Sequence, residues 1–150
     1  MDHAPGQGSR DDVVTVFVYG SLLKGFWNHR PYAPLLVACE RAYVDGLRLL
    51  HLPEGYPGAV VGDGVVVGEV QTFRQGSQVL ASLDELEDCD LERPEASMYL
   101  RRSLKANTAQ RGVQMAWVYL YVGASSGEAM ARGAVWIPSG DWRAFMGERR

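Results

Sequence analysis

Two short stretches carry residues whose types and spacing suit chemistry on a small polar ligand. The first is Tyr19-Gly20-Ser21-Leu22, which follows the β-branched and aromatic run Val16-Phe17-Val18. A run of that kind reads as a strand buried on both faces. Gly20 ends it and lets the backbone turn without a Cβ in the way. The turn would offer free backbone N–H groups beside the phenol of Tyr19 and the hydroxyl of Ser21. Ser21 lacks the Gly-Xaa-Ser-Xaa-Gly setting and a histidine tied to it, so it reads as a contact or turn cap and not as a nucleophile.

The second stretch is the acidic end of a helix expected over Gly76 to Asp88, where Asp84, Glu85, Glu87 and Asp88 follow one another closely. Most such runs are solvated faces. At about 100° per residue, Val79, Leu83 and Leu86 form an apolar stripe with Leu80 at its edge. Asp84, Glu85 and Asp88 fall outside the stripe. Glu87, four residues after Leu83 and seven after Leu80, falls within it. A carboxylate there leaves water when the helix packs, and must find partners or take up a proton. Desolvation would raise its pKa toward neutrality, as suits a group that accepts and returns a proton. A late acidic residue also opposes the helix dipole, so stability alone gives little reason for it. A structural glutamate bonded to a buried Tyr or Arg is the competing reading.

The elements that must position these residues are mostly strands. Residues 1–12 read as a flexible tail and 13–150 as one domain, long enough for a sizeable core. Val13–Tyr19 is the first strand, and Leu22–Pro34 a loop or broken helical turn in which Asn28 and Arg30 would line an entrance. Leu35–Cys39 reads as a short strand or turn, and Ala42–Leu52 as a strand with a bulge at Gly46. Pro53–Gly58 is a dense turn signal. Gly62-Asp63-Gly64 between two apolar runs suggests a hairpin. Met98–Ala106 and Val113–Val122 form two further strands, in which Trp117 and Tyr119 read as core. Tyr99 is expected half-buried, with its hydroxyl within reach of Glu87. Arg101 reads as an exposed charge or a structural ion-pair partner. A short helix is expected after Pro138. The fold class is α+β, a small mixed β-barrel or strongly curved sheet with one principal helix and short flanking helices.

Composition narrows the function. The net charge of −3 and the lack of a basic cluster argue against nucleic acid. No apolar stretch approaches the roughly 20 residues of a membrane span, and the first residues lack a secretory pattern, so a cytoplasmic protein without a membrane partner is expected. Cys39 and Cys89 are expected as reduced thiols. His3, His29 and His51 are scattered and give no metal-ligand spacing.

Taken in order, Val18-Tyr19-Gly20-Ser21-Leu22, Gly68-Glu69-Val70, Leu83-Asp84-Glu85-Leu86-Glu87, Tyr99-Leu100-Arg101 and Trp117-Val118-Tyr119 resemble the γ-glutamylcyclotransferase-like family, which includes the plant avirulence-induced-gene-like proteins. The resemblance covers about Val13 to Val122. It implies an enzyme without a cofactor that turns the α-amine of a γ-glutamyl amide onto its own γ-carbonyl, releasing 5-oxoproline and an amine or amino acid. By the same resemblance Glu87 is the general acid–base and Tyr19, Gly20, Ser21 and Leu22 cradle the substrate; Tyr99 is expected to join them in binding it. The partner expected is thus a small γ-glutamyl substrate. The charged linker Asp88–Met98 is long beside shorter family examples and is expected to reshape the pocket rim. Three other readings compete: a binding protein in which Glu87 grips an ammonium group; a γ-glutamyl remover of the same chemistry whose leaving group is a protein-linked or antibiotic-precursor amine; and an interaction protein using Phe26-Trp27 and the Trp136–Trp142 region as an apolar patch, which leaves Glu87 and the Gly-Ser turn unexplained.

Overall fold

The structure is a computed structural model in which residues 12–148 are described. Six strands form one curved, mixed sheet: β1 (Val13–Val18), β2 (Leu36–His51), β3 (Pro57–Arg74), β4 (Tyr99–Thr108), β5 (Gly112–Tyr121) and β6 (Val135–Ile137). The helices are α1 (Gly76–Leu86), α2 (Ser126–Ala131) and α3 (Trp142–Glu148), with a 3-10 segment at Trp27–Leu35. The expected α+β class with a curved sheet and one principal helix is what forms. Pairing runs from β1 to β3, β2, β4, β5 and back to β1, so the curved sheet returns on itself. The β1–β5 contact is parallel, and β1 is antiparallel to β3.

This order explains the apolar run that opens the chain. With β3 on one side and β5 on the other, β1 has no free edge, and Val16, Phe17, Val18 and Tyr19 are all buried. Helix α1 packs across β1 through Val79 and Leu83. Its N-terminus is held from the far end of the same strand. The Asp12 carbonyl accepts from the Gly76 N–H, and Asp12 Oδ1 accepts from the Ser77 N–H and hydroxyl. The rest of the tail expected over residues 1–12 lies outside the described residues.

Two expectations about the strands change. Leu35–Cys39 and Ala42–Leu52 are parts of one 16-residue strand, β2. Gly46, with φ of 83°, does mark a register shift in it. The hairpin expected at Gly62-Asp63-Gly64 does not exist, because these residues lie within the 18-residue strand β3, as the unpaired stretch opposite Gly46 where the β2–β3 register shifts. They are glycines because of what crosses them: a Cβ on Gly62 would meet Arg48 Cγ and Cδ at 2.9 Å, and one on Gly64 would meet the Leu47 carbonyl oxygen at 2.9 Å. The turn between β2 and β3 falls instead at the Pro-Gly-rich stretch, closed by Leu52 N–H to Tyr56 O and Gly55 N–H to Leu52 O, both 2.9 Å. The β4–β5 hairpin and the C-terminal helix form as expected. No helix among the described residues is long and apolar enough to cross a membrane.

Candidate active site

Helix α1 stops short of the expected end. Its last helical residue is Leu86, and Glu87 occupies the C-cap, where its N–H still bonds Leu83 O at 2.8 Å. The cause is a Schellman motif. The Cys89 N–H reaches Asp84 O at 2.8 Å, the Asp88 N–H reaches Glu85 O at 3.2 Å, and Asp88 is left-handed with φ of 53°. Glycine usually holds that position, and aspartate is among the few side chains that tolerate it. Leu86, expected within the buried stripe, is instead 43% exposed.

Past this helix end lies a cavity of about 260 Å³. That is small beside the roughly 300–1,000 Å³ of drug-sized ligand pockets, and suits an amino-acid-sized guest. Its wall includes Tyr19, Gly20, Ser21 and Leu22 after β1, Glu87 and Asp88 after α1, and Tyr99 at the start of β4. The residues singled out from the sequence therefore share one cavity, although they come from three separate parts of the chain.

The Tyr19–Leu22 turn is built by close approach. A Cβ on Gly20 would meet Pro57 Cγ at 2.7 Å, so only glycine lets this turn lie against the start of β3. The Gly20 carbonyl accepts from the Leu23 N–H at 2.9 Å, and the Ser21 carbonyl from the Asn28 N–H at 3.2 Å. Asn28 Nδ2 also donates to Ser21 Oγ at 2.7 Å, which fixes that hydroxyl. The backbone N–H groups of Gly20, Ser21 and Leu22 find no acceptor among the described residues. Three successive free donors of this kind form a site for a carboxylate or an oxyanion.

Glu87 is the other half of the site. It is partly accessible and lines the cavity, and no hydrogen bond or ion pair reaches its carboxylate from another described residue. Burial pushes its carboxyl up from the ordinary 4.5 to about 7. The competing reading, a glutamate satisfied by a buried Tyr or Arg, fits Asp84 instead. Asp84 Oδ1 accepts from the Tyr119 hydroxyl at 2.6 Å and from Arg101 Nε at 2.8 Å, and Arg101 also lies 4.4 Å over the half-buried Trp117 ring. Burial opposes the charge on Arg101, but Asp84 holds its guanidinium above the ordinary value. Arg101 is thus the structural ion-pair partner anticipated. Trp117 is less buried than expected, and Tyr119 is core.

The tyrosines beside Glu87 spend their protons elsewhere. Tyr99 is buried, not half-buried, and its hydroxyl donates to Pro57 O at 2.7 Å, so the expected reach to Glu87 is not made. The Tyr19 hydroxyl donates to Tyr119 O at 2.6 Å and accepts from the Ala59 N–H at 3.1 Å. Burial raises both phenols far above their ordinary range, with the Glu87 charge adding to the effect. They form a fixed floor under the cavity and stay protonated. Asn28 is in the wall, as expected, and exposed Arg30 is not.

Trp27 joins the wall from the polar and aromatic segment expected at the entrance, whereas beyond the turn chemistry of Pro53–Gly58 no local pattern marks Tyr56 or Pro57 as wall residues. The linker 88–98 does shape the rim. Its ends, Asp88 and Met98, both line the cavity, and the Met98 N–H bonds Asp88 O at 2.9 Å. Between them Ser97 Oγ ties the loop to itself through the Asp90 N–H at 2.9 Å. Cys39 and Cys89 are free thiols, and among the described residues no group of three His, Cys, Asp or Glu side chains could hold a metal ion.

The curved mixed sheet has counterparts among solved structures. An AIG2-like protein from Mus musculus superposes with a TM-score of 0.65 over 86% of this chain and 88% of its own, at 20% identity. A solution structure from Arabidopsis thaliana gives 0.65 over 95% and 79%, at 22% identity. At the level of sequence, residues 16–144 match the family model described as gamma-glutamyl cyclotransferase, AIG2-like, and the chain belongs to that family. The gamma-glutamylcyclotransferase family proteins YtfP of Citrobacter rodentium and Escherichia coli K12 are 33% and 34% identical over 129 and 131 residues, spanning 86% of this chain and 95% and 96% of theirs.

Proposed function

We propose that the protein is a γ-glutamylcyclotransferase that releases 5-oxoproline and a free amine or amino acid from a small γ-glutamyl amide, with Glu87 as general acid–base. The observation that supports this most is the sharing of one cavity by a partnerless carboxyl raised to about 7 and a turn with three free N–H donors. A group that titrates near 7 is suited to take a proton and give it back at neutral pH.

In this reading the substrate's α-nitrogen attacks its own γ-carbonyl carbon and closes a five-membered ring. Glu87 takes the proton that the nitrogen loses. The bond from the γ-carbon to the leaving nitrogen then breaks, and Glu87 returns the proton to that nitrogen. No water, metal or covalent enzyme intermediate is required, and atoms balance between amide, 5-oxoproline and amine. The protein's contribution is to hold the glutamyl chain folded, which draws on the roughly 7–11 kcal/mol available from orientation. The Gly20, Ser21 and Leu22 donors would bind the α-carboxylate or the oxyanion. Each donor aimed at transition-state charge is worth about 3–4 kcal/mol.

Incubating the protein and its Glu87→Gln variant with γ-glutamyl amino acids, γ-glutamylamines and γ-glutamyl-ε-lysine, and measuring 5-oxoproline by mass spectrometry, tests the proposal. Release by the wild type and loss in a folded Gln variant are expected. Calorimetric binding without any 5-oxoproline would replace it with the binding-protein reading. Near-normal turnover by the Gln variant would remove Glu87 from the chemistry.

A further inference from the structure

Four phenols line the cavity: Tyr19, Tyr56, Tyr99 and Tyr119. Three have their hydroxyl protons committed inside the protein. Tyr19 donates to Tyr119 O at 2.6 Å, Tyr99 to Pro57 O at 2.7 Å and Tyr119 to Asp84 Oδ1 at 2.6 Å. The fourth differs. The Tyr56 hydroxyl has no hydrogen-bond partner among the described residues, and the side chain is half-buried.

This hydroxyl is nevertheless well placed. Tyr56 stands between Gly55, whose φ is 103°, and the buried Pro57, which restricts the residue before it to extended backbone. Its carbonyl closes the turn by accepting from the Leu52 N–H at 2.9 Å, and its ring packs against the core. A donor held in this way binds with little ordering cost. Burial raises the phenol above its ordinary value, and the charges of Glu54 and Glu87 add to this, so it keeps its proton at neutral pH. The Glu87 charge is felt at Tyr56 because the two groups share the cavity.

The reacting atoms say where such a donor is wanted. Glu87 must reach the attacking nitrogen and the leaving nitrogen, both of which bond to the γ-carbon. The remaining polar atom at that centre is the γ-carbonyl oxygen. Three successive N–H groups at Gly20, Ser21 and Leu22 suit the two oxygens of the α-carboxylate. A single phenol suits a single oxygen. Resting on the cyclotransferase reading, we infer that Tyr56 is a further catalytic residue, whose hydroxyl donates a hydrogen bond to the γ-carbonyl oxygen as negative charge develops there. The phenol keeps its proton throughout. When the bond to the leaving nitrogen breaks, the charge on the oxygen returns to the carbonyl double bond, and Tyr56 is unchanged.

The test is Tyr56→Phe, which removes the hydroxyl and keeps the ring, assayed for 5-oxoproline from whichever γ-glutamyl amide the wild type turns over best. Loss of one oxyanion donor should lower kcat by about 100- to 1,000-fold, with KM within about three-fold of the wild type. Equal losses in kcat and kcat/KM are the mark of a contact made only in the transition state. The pH limb near 7 should not move, because burial sets the proton affinity of Glu87. Urea unfolding should match the wild type, because the hydroxyl has no bond inside the protein to lose. A destabilised or unfolded variant would show that the hydroxyl is already spent, and overturns the inference. A loss of kcat below about ten-fold, whether or not KM rises, or a shifted pH limb also overturns it and leaves the cyclotransferase reading standing. Absence of 5-oxoproline from every amide with the wild type overturns both.

Discussion

Replacing Glu87 by Gln removes a group whose affinity for a proton differs between the folded and unfolded chain. The folded carboxyl titrates near 7 because it is buried, and the unfolded one near 4.5. Between those values the folded chain holds a proton that the unfolded chain has lost. The stability this group contributes is therefore complete below pH 4.5 and is lost as pH rises to 7. A gap of about 2.5 pH units, at about 1.4 kcal/mol each, makes the loss about 3 kcal/mol above pH 7. The Glu87→Gln substitution keeps the size of the side chain without the charge. Urea unfolding of both proteins should then give converging stabilities below pH 4.5, with the variant up to about 3 kcal/mol more stable at pH 8. Taking the difference between the two proteins cancels the other carboxylates. Parallel stabilities from pH 4 to 8 would show that Glu87 is not held in a desolvated state, and would refute the account of its proton affinity. The variant should be sturdier and inactive, a pairing expected when a buried charge is kept for chemistry.

For the wild type, kcat/KM for 5-oxoproline release should rise with pH along a limb centred near 7, as Glu87 ionises to become a base. Gly20→Ala should cost about 1–3 kcal/mol in denaturant unfolding, because its methyl group would collide with Pro57, and should raise KM by displacing the cradle. Asp84→Ala strips the part-buried Arg101 and Tyr119 of their shared acceptor, and should lower stability by about 3 kcal/mol, read by thermal or urea unfolding. Tyr99→Phe removes the hydrogen bond to Pro57 O and should cost about 1 kcal/mol by the same measurement.

Much of the site was legible because it rests on local patterns. The break from an apolar run to Gly20 marked a buried strand end, and the stripe of Val79 and Leu83 drew Glu87 out of four neighbouring carboxylates. The route was sounder than its detail. Glu87 is aimed by a helix cap, not by a helical turn, and that cap was hidden because Asp88 stands where glycine usually marks it. What stayed illegible was set by distant contacts. Gly62 and Gly64 carry the signature of a turn, yet they are small to let Arg48 and Leu47 of the neighbouring strand approach. Tyr99 is near Glu87 in the fold, but which acceptor its hydroxyl takes depends on where Pro57 arrives from the β2–β3 connection. Similarly, the Asp84–Arg101–Tyr119 cluster joins three elements that no window of sequence spans.

The bond from the Tyr19 hydroxyl to Tyr119 O joins residues 100 positions apart. It bears on how the protein is made. At about 5–20 residues per second, a ribosome takes roughly 5–20 seconds between the two. Until about midway through that interval, when β3 has been made, β1 lacks both of its partners, and to the end of it β1 lacks the β5 partner that completes its burial. The Tyr19–Leu22 turn is thus among the first parts synthesised and among the last to be held in place. A nascent chain halted before residue 119 carries the Tyr19–Leu22 turn without the carbonyl that anchors Tyr19, and its incompletely covered first strand becomes a target for chaperones or for another chain's sheet edge.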